Sequence, residues 1–181
     1  MINNEIDELS KRKAYNFLQA QVVRTDEVGK VVALQKIHVY LFEGLYSHAG
    51  KIRTKTLLKG GSTFANGDFL PQVLRDIDKM PDSTFDEIVD KYVEMNIAHP
   101  FMEGNGRATR IWLDLLLKER IAKCIDWSKI EKNDYFDAMV ASPVDPNPIF
   151  KLLNNALTDD INSRELFLKG IDYSYYYEEE D

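Results

Sequence analysis

Residues 99 to 110 form one short run with several side chains that could together transfer a phosphate-linked group. The run reads His-Pro-Phe-Met-Glu-Gly-Asn-Gly-Arg-Ala-Thr-Arg. Pro100 disfavours helical geometry at the residue before it, so it helps to end a helix at His99. The imidazole of His99 is then expected at a loop edge, where it can meet a ligand and accept a proton.

The glycine-rich centre of this run predicts an anion site. Gly104-Asn105-Gly106 permits backbone angles that are closed to other residues and can turn main-chain N–H groups toward one point. That point is the start of the next predicted helix, whose unpaired N–H groups and macrodipole favour an anion. Arg107 and Arg110 lie three residues apart on one face of this helix and could hold different oxygens of a polyphosphate.

Glu103 completes the set with the hard oxygen that Mg²⁺ takes when it binds through one carboxylate and substrate phosphates. Together these residues predict a nucleotide-dependent transfer in which His99 removes the proton of an attacking hydroxyl. Each residue alone has an ordinary structural explanation: a satisfied histidine, a simple turn, or arginines on a solvated face. Their joint occurrence within twelve residues favours the chemical interpretation.

The run matches every specified position of the signature H-P-F-x-[DNE]-G-N-G-R-x-x-R, so the chain resembles the Fic (filamentation induced by cAMP) family over most of its length. The resemblance implies transfer of AMP from ATP to a hydroxyl side chain of a target protein, with ATP and Mg²⁺ as cofactors. It implies His99 as catalytic base, Glu103 as metal ligand, and Gly104, Asn105, Gly106, Arg107 and Arg110 as nucleotide-binding residues. The related Doc kinases have Lys at the position of Gly106, so the glycine of this chain favours AMP transfer over transfer of the γ-phosphate. Transfer of UMP or phosphocholine stays open.

A hairpin is predicted over residues 51 to 66, where two short β-prone runs flank Gly60-Gly61. In the resembling family a hairpin flap at this place lies over the active site and adds the target segment to itself as a strand. Lys59, near the tip, is expected to reach a nucleotide phosphate; the alternative is that it keeps the flap edge soluble.

Periodicity predicts a mainly α-helical single domain, the Fic fold by resemblance, with a core at about 28–153. Thr84 and Glu87 form a capping box at the start of the helix that ends at His99, and the helix after the glycine-rich turn is apolar nearly all round and therefore buried. Asp114 in that helix is expected to orient a neighbouring cation. Further helices are predicted over residues 8–21, 28–43, 66–80, 126–142, 149–153 and 163–168.

The sequence also predicts roles for three other residues. His38 lies within an apolar helix face and predicts a hydrogen-bonded core or interface histidine. Gly170 fits the residue just past a helix end. Phe136 is, by resemblance, a candidate for contacting the adenine base, and the alternative is a core aromatic side chain.

The tail resembles the inhibitory motif [S/T]-x-x-x-E-[G/N] of class III Fic proteins, with Ser174 and Glu178 in the specified places and a C-terminal inhibitory helix at about 172–181. Glu179 departs from the usual Gly or Asn. Ser174 and Glu178 share a helix face at i and i+4, so Glu178 could pair with Arg110 and add negative charge where a phosphate must sit. The aromatic residues of the tail also predict a homo-oligomer.

Composition limits the remaining classes. The 181 residues suffice for one domain, and a net charge of −7 argues against direct nucleic-acid binding. The absence of a long apolar run or a signal-peptide pattern predicts a cytoplasmic protein with no membrane span. Cys124 is the only cysteine, so no intramolecular disulfide is expected.

Two other kinds of function remain open from the sequence. The chain could be a nucleotide-responsive binding module with little turnover, although the intact His99 argues against it. It could also be a helical interaction protein that only retains the fold, but packing alone does not require the twelve-residue run.

Overall fold

The computed structural model describes residues 2–59 and 62–179, which are mainly helical, as predicted. The described strands are β1 Leu58–Lys59, β2 Ser62–Thr63, β3 Cys124–Ile125 and β4 Leu157–Thr158. They form two small antiparallel sheets: β1 pairs with β2 in the flap, and β3 pairs with β4 beside the core. The helices are α1 Ile2–Tyr15, α2 Phe17–Ala20, α3 Val31–Phe42, α4 Leu70–Lys79, α5 Phe85–Ala98, α6 Asn105–Ile121, α7 Lys132–Ala141, α8 Asn147–Asn155 and α9 Arg164–Tyr176. None of the helices in these ranges combines the length and apolar character needed to span a membrane.

The two helices that carry the glycine-rich loop between them are deeply buried. α5 begins at the predicted capping box, where Thr84 Oγ1 accepts from the N–H of Glu87 at 3.3 Å and Glu87 Oε2 accepts from the N–H of Thr84 at 3.1 Å. α6 is covered on most of its surface, and Trp112, Leu113, Leu116 and Leu117 have no exposed area. Rigid, buried helices are suited to holding reacting groups at fixed positions.

Asp114 corrects one expectation, because it does not orient a cation. Its two carboxylate oxygens accept hydrogen bonds from the main-chain N–H of Ile125 at 2.9 Å and from Nε1 of Trp127 at 2.7 Å. The carboxyl group therefore fixes β3 and the short 3-10 turn Trp127–Lys129 against α6. Burial raises the pKa of Asp114 to about 7.

The raised pKa of Asp114 predicts a pH-dependent contribution to stability. Because the folded pKa of about 7 exceeds the ordinary value of 3.8, this contribution is fully present at low pH and is lost as pH rises through about 7. As pH rises from 4 to 7, the unfolding free energy of the wild type should therefore fall relative to that of Asp114→Asn. Above about pH 8 the difference between the two proteins should stay constant. Urea denaturation across this range measures it. A difference that stays constant with pH would contradict this explanation.

Three element boundaries differ from the predictions. The helix expected over 8–21 is interrupted at Asn16, and the one expected over 126–142 is a 3-10 turn followed by α7. The helices expected at 163–168 and 172–181 are one helix, α9, which ends at Tyr176; residues 180 and 181 lie outside the described part.

Gly170 lies inside α9, so the expectation that it follows a helix end was wrong. A Cβ at this position would lie 3.2 Å from Cδ1 of Trp127. The absence of a side chain therefore allows α9 to pack closely against the indole, which explains the glycine by packing instead of by helix termination.

Candidate active site

His99 lies at the end of α5, as the sequence predicts, but in a left-handed backbone conformation. Its φ and ψ are 47° and 63°, and its N–H donates to the carbonyl of Met95 at 3.0 Å. Its imidazole stacks on the ring of Phe64 in the flap, with centroids 3.8 Å apart and planes 13° apart. The ring borders a cleft of about 260 Å³ that the flap, the glycine-rich loop and the C-terminal tail enclose.

The glycine-rich loop opens α6 toward this cleft. Gly104 has φ 80°, and a Cβ there would lie 2.5 Å from the Phe42 ring, so both conformation and space require glycine. The Asn105 side chain closes the loop: its Oδ1 accepts from Phe101 N–H at 2.9 Å and its Nδ2 donates to Phe101 O at 2.7 Å. The first N–H groups of α6 have no partner within the helix, and they are the groups for which the sequence predicts an anion.

His38 supports the loop from below. Its Nδ1 accepts from the N–H of Gly50 at 2.9 Å, so its proton must lie on Nε2, which donates to the carbonyl of Glu103 at 2.8 Å. Burial lowers the pKa of His38 to about 4, so the ring is neutral. The expected hydrogen-bonded core histidine is confirmed, while its support of Glu103 has no signal in the sequence.

Arg110 is fully buried and is held by the C-terminal tail. Its Nε donates to Ser174 Oγ at 2.8 Å, and its Nη2 donates to Ser174 O at 2.7 Å and to Glu178 Oε1 at 2.5 Å. Burial alone would lower the pKa of the guanidinium, but the charge of Glu178 raises it above its usual value. The arginine expected to bind phosphate therefore bonds both predicted inhibitory residues.

The Glu178 carboxylate also lies against the first turn of α6. A methyl group on Gly106 would overlap Glu178 Oε1 and come within 2.9 Å of an Arg110 nitrogen. The carboxylate thus lies beside the helix N-terminus, in the position that the sequence assigns to an anion.

Arg107 is paired with a residue that sequence reasoning missed. It forms an ion pair with Asp7 of α1, and its guanidinium lies 4.9 Å from the Phe42 ring centre and 5.7 Å from that of Tyr175. Burial would lower the pKa of Arg107, but the charges of Asp7 and Glu178 raise it. Asp7 is 100 residues away in the chain and belongs to no motif, so only the fold reveals the pair.

This geometry agrees with the comparisons to known proteins. Residues 30–117 match the model of the Fic/DOC family. The matched residues, just under half of the chain, are similar to the Fic/DOC family. Protein adenylyltransferase VbhT of Bartonella schoenbuchensis is 31% identical over 120 residues, and probable protein adenylyltransferase y4lH of Sinorhizobium fredii is 27% identical over 118 residues. These matches cover 60% and 59% of this chain but only 25% and 61% of those proteins.

Solved Fic structures share the fold. The BepC protein of Bartonella tribocorum, crystallised with bound AMPPNP, superposes with a TM-score of 0.74 at 20% identity, over 87% of this chain and 86% of that one. The Fic domain of Bep8 from Bartonella sp. 1-1C gives 0.76 at 14% identity, over 90% and 87%. The predicted helical Fic fold is thereby confirmed.

The remaining predicted site residues lie farther from the centre of the cleft. Lys59 lies in β1 opposite Ser62, and its side chain is outside the described part. Phe136 is 38% exposed on α7, so it is not the core residue of the alternative explanation, and it is absent from the described residues that line the cleft. Glu103 is exposed at the cleft edge.

The Asp7–Arg107 pair gives a stability prediction. Asp7→Ala would leave the buried guanidinium without its carboxylate, so we expect the unfolding free energy to fall by about 1–3 kcal/mol. Glu8→Ala removes the adjacent, exposed carboxylate of the same helix and should change it by less than about 0.5 kcal/mol. Urea denaturation of both variants measures the difference; equal losses would show that the pair adds nothing specific.

Proposed function

We propose that this chain is a protein adenylyltransferase that moves AMP from ATP to a hydroxyl side chain of a target protein. One observation carries the proposal: the His99 imidazole and the N-terminal turn of α6 face the same cleft. The printed names of VbhT and y4lH, and the ATP analogue AMPPNP bound by BepC, support it.

The chemistry assigned to these groups is a single displacement. The phosphates of ATP bind the N–H groups at Gly104 to Arg107, with Arg110 as a further cation. The target hydroxyl oxygen attacks the α-phosphorus, its bond to phosphorus forms, and the bond from phosphorus to the β-phosphate breaks, so pyrophosphate leaves. His99 takes the hydroxyl proton as general base. The fixed N–H groups and cations stabilise the charge that develops on the phosphoryl oxygens.

Glu103 fits Mg²⁺ of the kind that binds together with a nucleotide. Its carboxylate is exposed at the cleft edge, and residues 2–59 and 62–179 contain no group of three acidic, histidine or cysteine side chains placed to hold a metal. One carboxylate plus phosphate oxygens is a common Mg²⁺ environment in nucleotide enzymes. When bound, the ion would neutralise phosphate charge.

The C-terminal segment is proposed to hold the enzyme in an inactive state. Glu178 competes with phosphate for Arg110 and for the N-terminus of α6. The hydroxyl of Ser174 accepts a hydrogen bond from Nε of the same guanidinium. The tail is anchored by Tyr177, whose hydroxyl lies 2.8 Å from the carbonyl of Trp127. Position 179 contributes its main-chain carbonyl, 2.5 Å from Lys132 Nζ, a contact that does not require the usual Gly or Asn.

The proposed partners follow from exposed surface. The target segment would pair with the short flap strand β1, whose Leu58 is 76% exposed. Of the tail aromatics, Tyr173 and Tyr176 are available for contacts in a homo-oligomer, because Tyr175 and Tyr177 are buried within the chain. Cytoplasmic location stays a prediction.

The position of the label in ATP tests the proposed reaction. Glu178→Gly protein is incubated with a cell lysate and ATP carrying ³²P at either the α- or the γ-phosphate. AMP transfer labels proteins from α-labelled ATP only. Labelling from γ-labelled ATP above that of the lysate without added protein would indicate a kinase and contradict the proposal. ATP binding without labelling above the same background would favour the nucleotide-responsive binding module.

A further inference from the structure

The side chain of Arg53, at the start of the flap, binds main-chain carbonyls in a way that no sequence motif indicates. It is 4% exposed, and its guanidinium donates to four carbonyl oxygens. Two belong to the flap, Lys55 at 2.6 Å and Ala65 at 2.7 Å, one in each leg of the hairpin. The other two end α5, Ala98 at 2.8 Å and His99 at 2.7 Å.

The planar guanidinium suits this arrangement, since its fixed N–H groups can reach carbonyls on opposite sides. Its positive charge also lies at the carbonyl end of α5, where the helix dipole favours a cation. No carboxylate forms an ion pair with it among residues 2–59 and 62–179. A guanidinium buried against carbonyls alone is therefore used as a connector between segments.

Main-chain bonds join the same two segments. The N–H of Arg53 donates to the carbonyl of Pro100 at 2.9 Å, and the N–H of Ala65 donates to that of Ile97 at 3.1 Å. The flap also reaches the imidazole, through the stack of Phe64 on His99. The flap thus contacts both the backbone and the imidazole ring of His99.

We infer that Arg53 and Phe64 are positioning residues, which make the base of the flap and the His99 imidazole one rigid unit. The catalytic consequence rests on the proposed function. A target strand added to the flap would then meet the imidazole at a set distance, because both are tied to the same guanidinium. Arg53 acts through His99 and the flap and does not itself touch the reacting atoms.

A spectroscopic test does not depend on activity. The ring protons of His99, assigned by their loss in His99→Ala, lie over the face of Phe64 and carry its ring-current shift. In Arg53→Lys a single ammonium group cannot replace the several fixed donors of the guanidinium, so the stack should loosen. The His99 signals should then lose part of the ring-current shift and move toward their positions in Phe64→Leu. Lys91→Met is the matched control, because it removes a buried cation, 2% exposed, from α5 at a position away from the flap.

The signals should stay in place in Lys91→Met, at a temperature where circular dichroism shows all variants folded. Unchanged His99 signals in folded Arg53→Lys would overturn the inference. Equal displacement in Lys91→Met would also overturn it, since that result would indicate general loosening of the helix.

A kinetic test adds the functional consequence. In the Glu178→Gly background, Arg53→Lys should lower kcat about 10²-fold, the effect of a misplacement of about 1 Å, and leave the KM for ATP within about twofold. Lys91→Met should keep kcat. A raised KM for ATP with unchanged kcat would overturn the inference. If Glu178→Gly itself transfers no AMP, the proposed function fails, and the His99 signals still decide whether Arg53 positions the ring.

Discussion

Replacing Glu178 with glycine is expected to raise the rate of AMP transfer by about 10- to 100-fold. In the wild type, Glu178 bonds Arg110 at 2.5 Å and lies beside the first turn of α6. A hydrogen bond to a charged group contributes about 1.5–3 kcal/mol, and each 1.4 kcal/mol that favours the blocked state lowers the competent fraction about tenfold. Initial rates of label transfer from α-labelled ATP measure the change.

Two further variants isolate the carboxylate as the cause. Glu179→Gly removes the adjacent acidic side chain and keeps the main-chain contact to Lys132, so its rate should equal that of the wild type. Glu178→Gln keeps the size of the side chain without its charge and should fall between wild type and Glu178→Gly. Equal rates in wild type and Glu178→Gly would show that the tail does not inhibit.

The Glu178→Gly variant should be less stable while it is more active. Removing the carboxylate leaves the guanidinium of Arg110, which is 2% exposed, without its negative partner. A lower Tm without ATP, together with a larger rise in Tm when ATP is added, is the expected pattern. This combination separates release of a blocked site from a general improvement of the fold.

His99→Ala is expected to lower AMP transfer by about 10²- to 10⁴-fold, the usual contribution of a general base. Binding of ATP should change little, because the glycine-rich loop is held by Asn105 and His38 and not by the imidazole of His99. Single-turnover rates and calorimetric ATP affinity, both in the Glu178→Gly background, separate the two effects.

His48→Ala is the matched control for His99→Ala. His48 stacks on Tyr46 and is not among the described residues that line the cleft, so its removal should keep the rate of transfer. A parallel loss of ATP affinity in His99→Ala would contradict the assignment, since it would place the imidazole in nucleotide binding.

The sequence predicted the backbone around the candidate site well because its signals are local. The capping box at Thr84, the apolar stripe of α5, Pro100 and the glycine-rich turn act within a few residues of each other. The backbone around His99 and the start of α6 follow from these neighbours, so they could be placed without knowledge of the remaining fold.

The contacts that complete the site are not local, and the sequence did not reveal them. Asp7 meets Arg107 only because α1 packs on α3 and α9, which both contact α6. Arg53 meets His99 only because the flap returns to the end of α5. Gly170 was misread for the same reason, since its requirement comes from Trp127 and not from its own helix. A charged residue outside a motif carries no sign of its partner in a single sequence.

We propose that His99 is the general base of AMP transfer and that Glu178 blocks the reaction. The most direct test compares label transfer from ATP carrying ³²P at the α-phosphate by three proteins: the wild type, Glu178→Gly, and Glu178→Gly with His99→Ala. We expect weak labelling, strong labelling, and a return to trace levels. Strong labelling that persists without His99 would contradict the catalytic assignment, and the absence of labelling by all three while ATP binds would contradict AMP transfer itself.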